Sequence, residues 1–508
     1  MNVQRKAAAG ICIAVIWALT ACSPHVVTRE ELAADSTALD QTIQAAPETV
    51  QKPLIVTEPD EQVTLRIVDW SDSTKKRREA YNQKFMEEHP NVKVEYTTLT
   101  ADQFKETVVS AIKANNAPDL FPLPNGMKLG SAVAEGWYLP MSDYLPEDFW
   151  DTLEDGSLNE GITNLKGKVY LLPESANIVN TLMFYNRNVL EQAGIREEDL
   201  PKTWNEFKTV CRTITEAGKG RYYGIIESGA QPNRMELALR SLASLDGARC
   251  GDISQILLTN GENTMNSTGM QEAFQFYDDL VKEGAFHPDS TLLKAPEARA
   301  LFAQNQAAFI IQGAWCISTW RSENPNLDFG VMALPVPDDG QKGRLPYLGA
   351  QPWIGISSGC THPDVAAEYL EGLYSQEYQS GLVKDGGFVS AVKGVNESCM
   401  TDPAMRQYYE IHKQQAALAP DPIVGNQETA EIYARVKAVT PGLGEIAQGV
   451  LAESVDYKKE LATLSEKTQI QWEKAIKEGG EQGASVTADD FEFDNWNPLQ
   501  PYTMDMYR

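Results

Sequence analysis

Histidine and paired cysteine are the first things this sequence lacks. Five histidines, His25, His89, His287, His362 and His412, are scattered over 508 residues, so a histidine-built metal site is not expected. Of the seven cysteines, Cys12 lies inside an apolar leader and Cys22 at its end. The remaining five, Cys211, Cys250, Cys316, Cys360 and Cys399, are odd in number, widely spaced and form no CxxC. Buried free thiols are therefore expected, with one disulfide left open. Cations are also short: 44 Lys and Arg against 71 Asp and Glu leave a net charge of −27. That sign repels nucleic acid and anionic lipid surfaces, and neither is expected as a partner. No HExxH, P-loop or dinucleotide fingerprint occurs, and a glycosidase would need two carboxylates placed across a cleft. No catalytic residue, cofactor or metal is expected, and the chain is not expected to be an enzyme. After the leader no long apolar run follows, so nothing else is expected to span a membrane.

The leader is the strongest local signal present. Arg5 and Lys6 precede an apolar run from Ala7 to Ala21, too short and too sharply ended for a transmembrane helix. It closes on Leu19-Thr20-Ala21-Cys22, and a small residue directly before cysteine resembles the bacterial lipoprotein signal. The resemblance implies a signal peptide at 1–21, lipidation of Cys22 and a place on the outer face of the cell membrane. A plain secretory signal is the alternative. Residues 22–62 are rich in Ala, Thr, Glu, Asp, Gln and Pro, and read as a flexible acidic tether.

Ordered periodicity begins at VTLRIVDW (63–70), an alternating strand. A helix follows, with Tyr81, Phe85 and Met86 on its apolar stripe and Pro90 stopping it. NVKVEYTTL (91–99), a helix at 101–114 and the strand DLFPL (119–123) complete a β-α-β-α-β run. Strands separated by helices imply a largely parallel sheet with right-handed crossovers. Further along, GKVYLLPES (167–175) reads as a strand pair and TLMFYN (181–186) as a buried strand. Strands are also expected at YYGIIES (222–228), AAFIIQGAW (307–315), FGVMALPVP (329–337) and PWIGIS (352–357). Helices are expected at 204–218, 234–246, 269–283, 363–375, 403–418, 427–438 and 443–478, followed by a tail rich in Asp, Trp, Pro and Tyr.

Several segments resemble the extracellular solute-binding proteins (family 1) of ABC importers, the group that includes maltose-binding and other sugar-binding lipoproteins. The segments are HPNVKVEY, NAPDLFPL, GWYLPMSDYL, GKVYLLP followed by Tyr185-Asn186-Arg187, PKTWNEF, FAQNQAAFIIQGAW and the ending Asn495-Trp496-Asn497-Pro498 with Tyr502. They run collinearly over about residues 63 to 505. The resemblance implies an α/β, two-lobed periplasmic-binding-protein-like fold (type II): two mainly parallel sheets with helices on both faces, and hinge strands between lobes. It places lobe 1 at 63–178 plus 338–392, lobe 2 at 179–337 plus 393–480, and a tail at 481–508. Hinge candidates are 170–175 and 329–335. It further implies a monomer that carries a carbohydrate, an oligosaccharide by expectation, to ABC permease subunits. A non-sugar ligand, a sensor or an adhesin are the alternatives.

Parallel α/β sheets bind ligands beyond the carboxyl ends of their strands, and that rule selects candidates. Trp70, Ser71 and Asp72 follow the first strand and offer a stacking ring beside hydroxyl-seeking groups; Asp72 could equally cap the next helix. Asn125 sits in a Pro-Asn-Gly turn after DLFPL, where turn chemistry alone would explain it. Glu174 and Asn177 lie where the chain crosses between lobes. Trp315 ends Gln312-Gly313-Ala314-Trp315, where the family presents an aromatic platform, and the small residues beside it suit a close approach. Gln351 and Trp353 open the strand WIGIS and could line the cleft from the other lobe. Phe388 follows Gly386-Gly387, although the family's proline is missing there. Glu227 and Arg234 follow YYGIIES as weaker candidates. Few cations among these groups favour a neutral saccharide.

Overall fold

The computed structural model describes residues 61–70, 74–99, 101–124, 127–173, 175–179, 181–252, 255–349, 351–386 and 388–507. Cys22, the leader, most of the tether, Ser71, Asp72, Asn125 and Glu174 lie outside the described residues.

The first strand, β1 (Val63–Asp69), buries Val63, Leu65, Ile67 and Asp69 and turns the alternate residues outward. Helix α1 (Lys75–Glu88) leads to β2 (Val92–Thr98), which pairs parallel with β1 from Val63↔Val92 to Asp69↔Thr98. Helix α2 (Ala101–Lys113) leads to β3 (Leu120–Pro122), parallel to β1 on its other side. The stripe of α1 differs from its apolar pattern: Arg78 and Asn82 are buried with Phe85. Polar groups occupy that face because each has a partner. Tyr369 Oη donates to Asn82 Oδ1 at 2.6 Å and Arg78 Nε donates to Tyr378 Oη at 3.1 Å.

Beyond residue 179 the chain builds a second sheet. Strand β4 (Leu182–Asn186) is buried throughout, and Asn186 caps the next short helix by accepting from Val189 N at 3.2 Å. Helix α3 (Trp204–Gly218) opens with a capping box between Thr203 and Glu206. Trp204 stacks on Phe276 at 5.1 Å and donates Nε1 to Pro335 O, a structural role. Strand β5 (Tyr223–Ile226), helix α4 (Pro232–Leu245), helix α5 (Ala295–Ala303), strand β6 (Ala307–Gln312), helix α6 (Trp315–Glu323) and strand β7 (Phe329–Met332) follow. The order across this sheet is β7-β4-β6-β5. β5 and β6 pair parallel and β4 is antiparallel to both β6 and β7, so β5, β6 and β7 all run the same way. The second sheet is thus mainly parallel with one reversed strand, β4, which enters from the first half of the chain and need not run with those joined by crossover helices.

The return path also departs from expectation. Residues 338–347 stay beside the second sheet: Lys342 N donates to Leu245 O at 2.9 Å, and Lys342 Nζ lies 2.7 Å from Asp246. Strand β8 (Leu345–Tyr347) pairs with a later strand, and the chain rejoins the first sheet only at β9 (Ile354–Ile356), antiparallel to β3. Helices α7 (Pro363–Leu373) and α8 (Gln376–Lys384) then pack on α1, with Arg77 bound to Asp385 and Lys84 to Glu377. Helix α9 (Pro403–Gln415) returns to the second sheet, where the Gln407 and Gln415 side chains accept from Val331 N and Leu334 N.

Expected helix ends shift where strand pairing or a turn wins. Residues 416–418 leave the helix to form β10 (Ala416–Leu418), parallel to β8. The long C-terminal helix divides into α10 (Leu443–Leu451) and α11 (Tyr457–Glu481). Glu453 takes a left-handed φ of 51° there, and Asp456 caps the second helix. All described residues fall in one compact unit. Cys211, Cys250, Cys316, Cys360 and Cys399 are all free thiols, four of them buried.

Candidate functional site

The carboxyl ends of β5 and β6 stand side by side, because these strands pair parallel with Ile226 opposite Ile310. Residues just beyond them converge. Gln312 is 1% exposed, and its Oε1 accepts from Arg234 Nη2 at 3.1 Å and from the Cys316 thiol at 3.5 Å. Trp315 opens α6 and is 45% exposed, unusual for a ring that large. Its six-membered ring lies over Gly313, where an added Cβ would come within 2.1 Å. Any side chain at 313 would have to push the ring from this position. Arg234 places its guanidinium carbon 5.2 Å from the centre of the Trp315 ring.

Glu227 and Ser228 complete this end. Glu227 is 3% exposed; its Oε1 accepts from Ser228 N at 2.7 Å, and its Oε2 meets no donor among the described residues. Burial pushes the Glu227 carboxyl up to about 7. Ser228 Oγ is likewise buried without a partner among the described residues. One exposed ring therefore stands beside polar groups with unused capacity, the combination a small-molecule site requires.

At the first sheet, Trp70 leaves β1 half-buried, edge-on to Phe104 at 4.8 Å. Beneath it Asp69 is fully buried, accepts from Tyr96 Oη at 3.0 Å, and lies 3.8 Å from Arg78 Nη1. Trp353, expected to line the cleft, is instead 4% exposed, with Arg78 over its ring at 4.6 Å. It packs the core under β9, where the apolar face of the sheet has first claim on a large ring. Gln351 is exposed and Phe388 half-buried against the core.

Asn177 ties the crossing segments together, its Nδ2 donating to Leu348 O at 2.7 Å and also to Gly349 O. Those segments line a cavity of about 540 Å³ with Ser175, Asn177, Tyr347, Glu154 and Lys413 among its walls. Burial and the nearby Glu397 hold the Glu154 carboxyl above its ordinary range. His412, also on this cavity, accepts from Val179 N through Nδ1 and is held down at about 4 by burial. Neither Trp315 nor Trp353 is among the residues around it. Among the described residues no cluster of His, Cys, Asp and Glu could hold a metal ion, and no helix is long and apolar enough to cross a membrane.

A family model, bacterial extracellular solute-binding protein, matches residues 70–380. The chain belongs to that family. A binding protein of Brucella abortus is 23% identical over 389 residues, 76% of this chain and 85% of the relative. The diacetylchitobiose-binding protein DasA of Streptomyces coelicolor is 24% identical over 314 residues, 60% of this chain and 68% of DasA. Among solved structures, RafE from Streptococcus pneumoniae superposes with a TM-score of 0.62 at 17% identity, covering 82% of this chain and all of RafE. This solute-binding protein thus has the two-lobed fold of its relatives.

Of the residues that sequence selected at the carboxyl edges, the structure gathers Trp315, Arg234 and Glu227 at one place. Ser228, Cys316 and the amide of Gln312 join them and were not selected. Only the parallel pairing of β5 with β6 brings residues 227–234 to residue 312, and no periodicity reports which strands are neighbours. A Gly-x-Ser-x-Gly spacing, Gly355 to Gly359, also occurs. Its Ser357 is 1% exposed with Oγ accepting from Gly359 N at 3.2 Å, so it is held inside the fold and not presented as a nucleophile.

Proposed function

We propose that this protein is the extracellular substrate-binding component of an ABC importer, capturing a carbohydrate, an oligosaccharide by preference, and delivering it to permease subunits. The observation that carries the reading is Trp315: a ring 45% exposed at a strand's carboxyl end, seated on Gly313 and flanked by buried polar groups. A sugar presents C–H groups to such a ring and hydroxyls to amides and carboxylates. The relatives support the sugar class. DasA is named for diacetylchitobiose, and RafE is known in complex with raffinose. Binding, not bond-breaking, is the activity, in keeping with a family of binding proteins.

In this reading lobe 1 comprises about 63–178 plus 348–392 and lobe 2 about 179–347 plus 393–480, closing on the ligand by a hinge motion. Trp70, Ser71, Asp72, Asn125, Glu174, Gln351 and Phe388 are kept in this reading as further ligand candidates, chosen by their places in the sequence. A lipid on Cys22, with the tether 22–62, would hold a monomeric receptor at the cell surface within reach of its permease. Thermal unfolding against an array of sugars tests the central claim. An oligosaccharide that binds only the native state raises Tm by mass action, and Trp315→Ala should abolish that rise while leaving the unliganded Tm nearly unchanged. Amino acids, polyamines or peptides raising Tm where no sugar does would overturn the carbohydrate reading.

A further inference from the structure

Two arginines stand near the Trp315 platform, and among the described residues neither is paired with a carboxylate. Arg234 lies over the ring at 5.2 Å and donates Nη2 to Gln312 at 3.1 Å. A ring face and a neutral amide orient a guanidinium but leave its charge uncancelled. Arg299, on α5, reaches the Cys316 thiol and is close enough to repel Arg234. Among the described residues no carboxylate oxygen stands within 4.0 Å of either guanidinium, the limit for an ion pair. Both are half-buried. The first turn of α6 adds the positive end of its dipole at Trp315 itself.

This happens in a chain with 71 carboxylates and 44 cations, where a neutralising partner is the easiest thing to supply. Arg187 holds Glu197 at 2.6 Å, Arg196 holds Asp199 at 2.8 Å and Arg321 holds Asp402 at 2.8 Å. The acid that acts on Arg234 is Glu227, which pulls on it only through space and is itself driven toward its neutral form by burial. A half-buried charge without a partner is costly. An unpaired guanidinium on the exposed ring, with a second one at the neighbouring Cys316, marks a place where the partner arrives from outside.

The geometry points to a ligand whose sugar unit at Trp315 carries an oxyanion, held by Arg234 and Arg299 while the ring stacks on the indole. This rests on the carbohydrate reading above and replaces the neutral saccharide expected from the scarcity of cations in sequence. A carboxylate, as on a uronic acid, matches the planar two-toothed fork of a guanidinium best. Sulfate or phosphate on a sugar shares the chemistry. Gln312 keeps its amide in the site to orient Arg234.

The test is calorimetric titration of the purified full chain with matched oligosaccharides that are neutral, uronate-bearing, sulfated or phosphorylated. The tightest ligand should be an anionic sugar, and the anionic arm that binds identifies the group. Arg234→Gln should weaken that ligand by about 10- to 100-fold, the effect of losing a charge-assisted hydrogen bond, and should change a neutral analogue by less than about threefold. Arg234→Lys should recover part of the loss, and Arg299→Gln should act in the same direction, which keeps the claim testable if one variant folds poorly. Affinity should fall with added salt for the anionic ligand alone. A neutral sugar as the tightest ligand, or parallel losses for neutral and anionic ligands in Arg234→Gln, would overturn the inference and leave the carbohydrate reading standing. Binding of simple organic acids or phosphates with no sugar bound would overturn the carbohydrate reading while keeping the oxyanion contact. No binding in any arm would overturn both.

Discussion

Glu227 joins stability to the site at a single carboxyl. Its native value near 7 lies above that of an ordinary glutamate because burial disfavours the charge. Between roughly pH 4.5 and 7 the folded chain keeps a proton there that the unfolded chain has lost, so stability falls as pH rises through that window. Above it the penalty is complete, at up to about 3 kcal/mol from the size of the displacement. Glu227→Gln should therefore raise Tm at pH 8 and leave it nearly unchanged at pH 4.5, in the absence of ligand. Equal Tm gains at both values would show that packing, not ionisation, sets the effect. Residues of this kind were only partly legible. Trp315 was visible because a motif and small neighbours marked it. Glu227 and Arg234 could be named but not ranked, since burial and the lack of a partner exist only after β5 has been laid beside β6.

Elements were easiest to read where one face alternates or repeats cleanly, as in β1, α3 and the buried strand β4. They were misread where a polar residue does core work. Helix α1 buries Arg78 at 1% exposure, between Asp69 at 3.8 Å, Tyr378 and the ring of Trp353 at 4.6 Å. Arg78 links α1 to β1, α8 and the residue that leads into β9, and one guanidinium fixes how two helices sit on the first sheet. Removing it leaves the fully buried Asp69 carboxylate without its cation, although Tyr96 Oη still donates to it. Arg78→Ala should destabilise the protein by about 3–5 kcal/mol, the cost of breaking a buried pair. Asp69→Asn combined with Arg78→Met removes both charges and should recover much of that loss. Chemical denaturation of the single and double variants measures both. Additive losses would show that the two residues are not coupled. The same scale explains the break at 452–456 and the strand at 416–418. Helical periodicity continues through both, and only the partner strand β8 and the left-handed Glu453 decide otherwise.

At the scale of the molecule, two lobes were legible from repeated βαβ units, but the purpose of the last residues was not. The tail is built onto the crossing region. Arg344 N donates to Pro498 O at 2.9 Å, Tyr502 N to Leu418 O at 2.9 Å, and Asp421 N to Tyr507 Oη at 2.8 Å. Arg249 holds the Trp496 carbonyl at 2.8 Å, which fixes the tail to the second lobe. The β8–β10 pair, only three residues long, is therefore clamped at both strands by a segment from the far end of the chain. A pair that short does not hold alone in water, yet it borders Leu348 and Gly349, the carbonyls to which Asn177 ties the other crossing. The tail thus braces the β8–β10 pair beside the segment that Asn177 holds. Deleting residues 494–508 should leave both sheets folded but speed amide hydrogen exchange at 345–347 and 416–418 by at least about tenfold, the factor for roughly 1.4 kcal/mol of lost local stability. Exchange in β1, β4 and β6 should stay as it was. If 345–347 and 416–418 keep their protection after the deletion, the clamp is ornamental and the hinge is held by the Asn177 contacts alone.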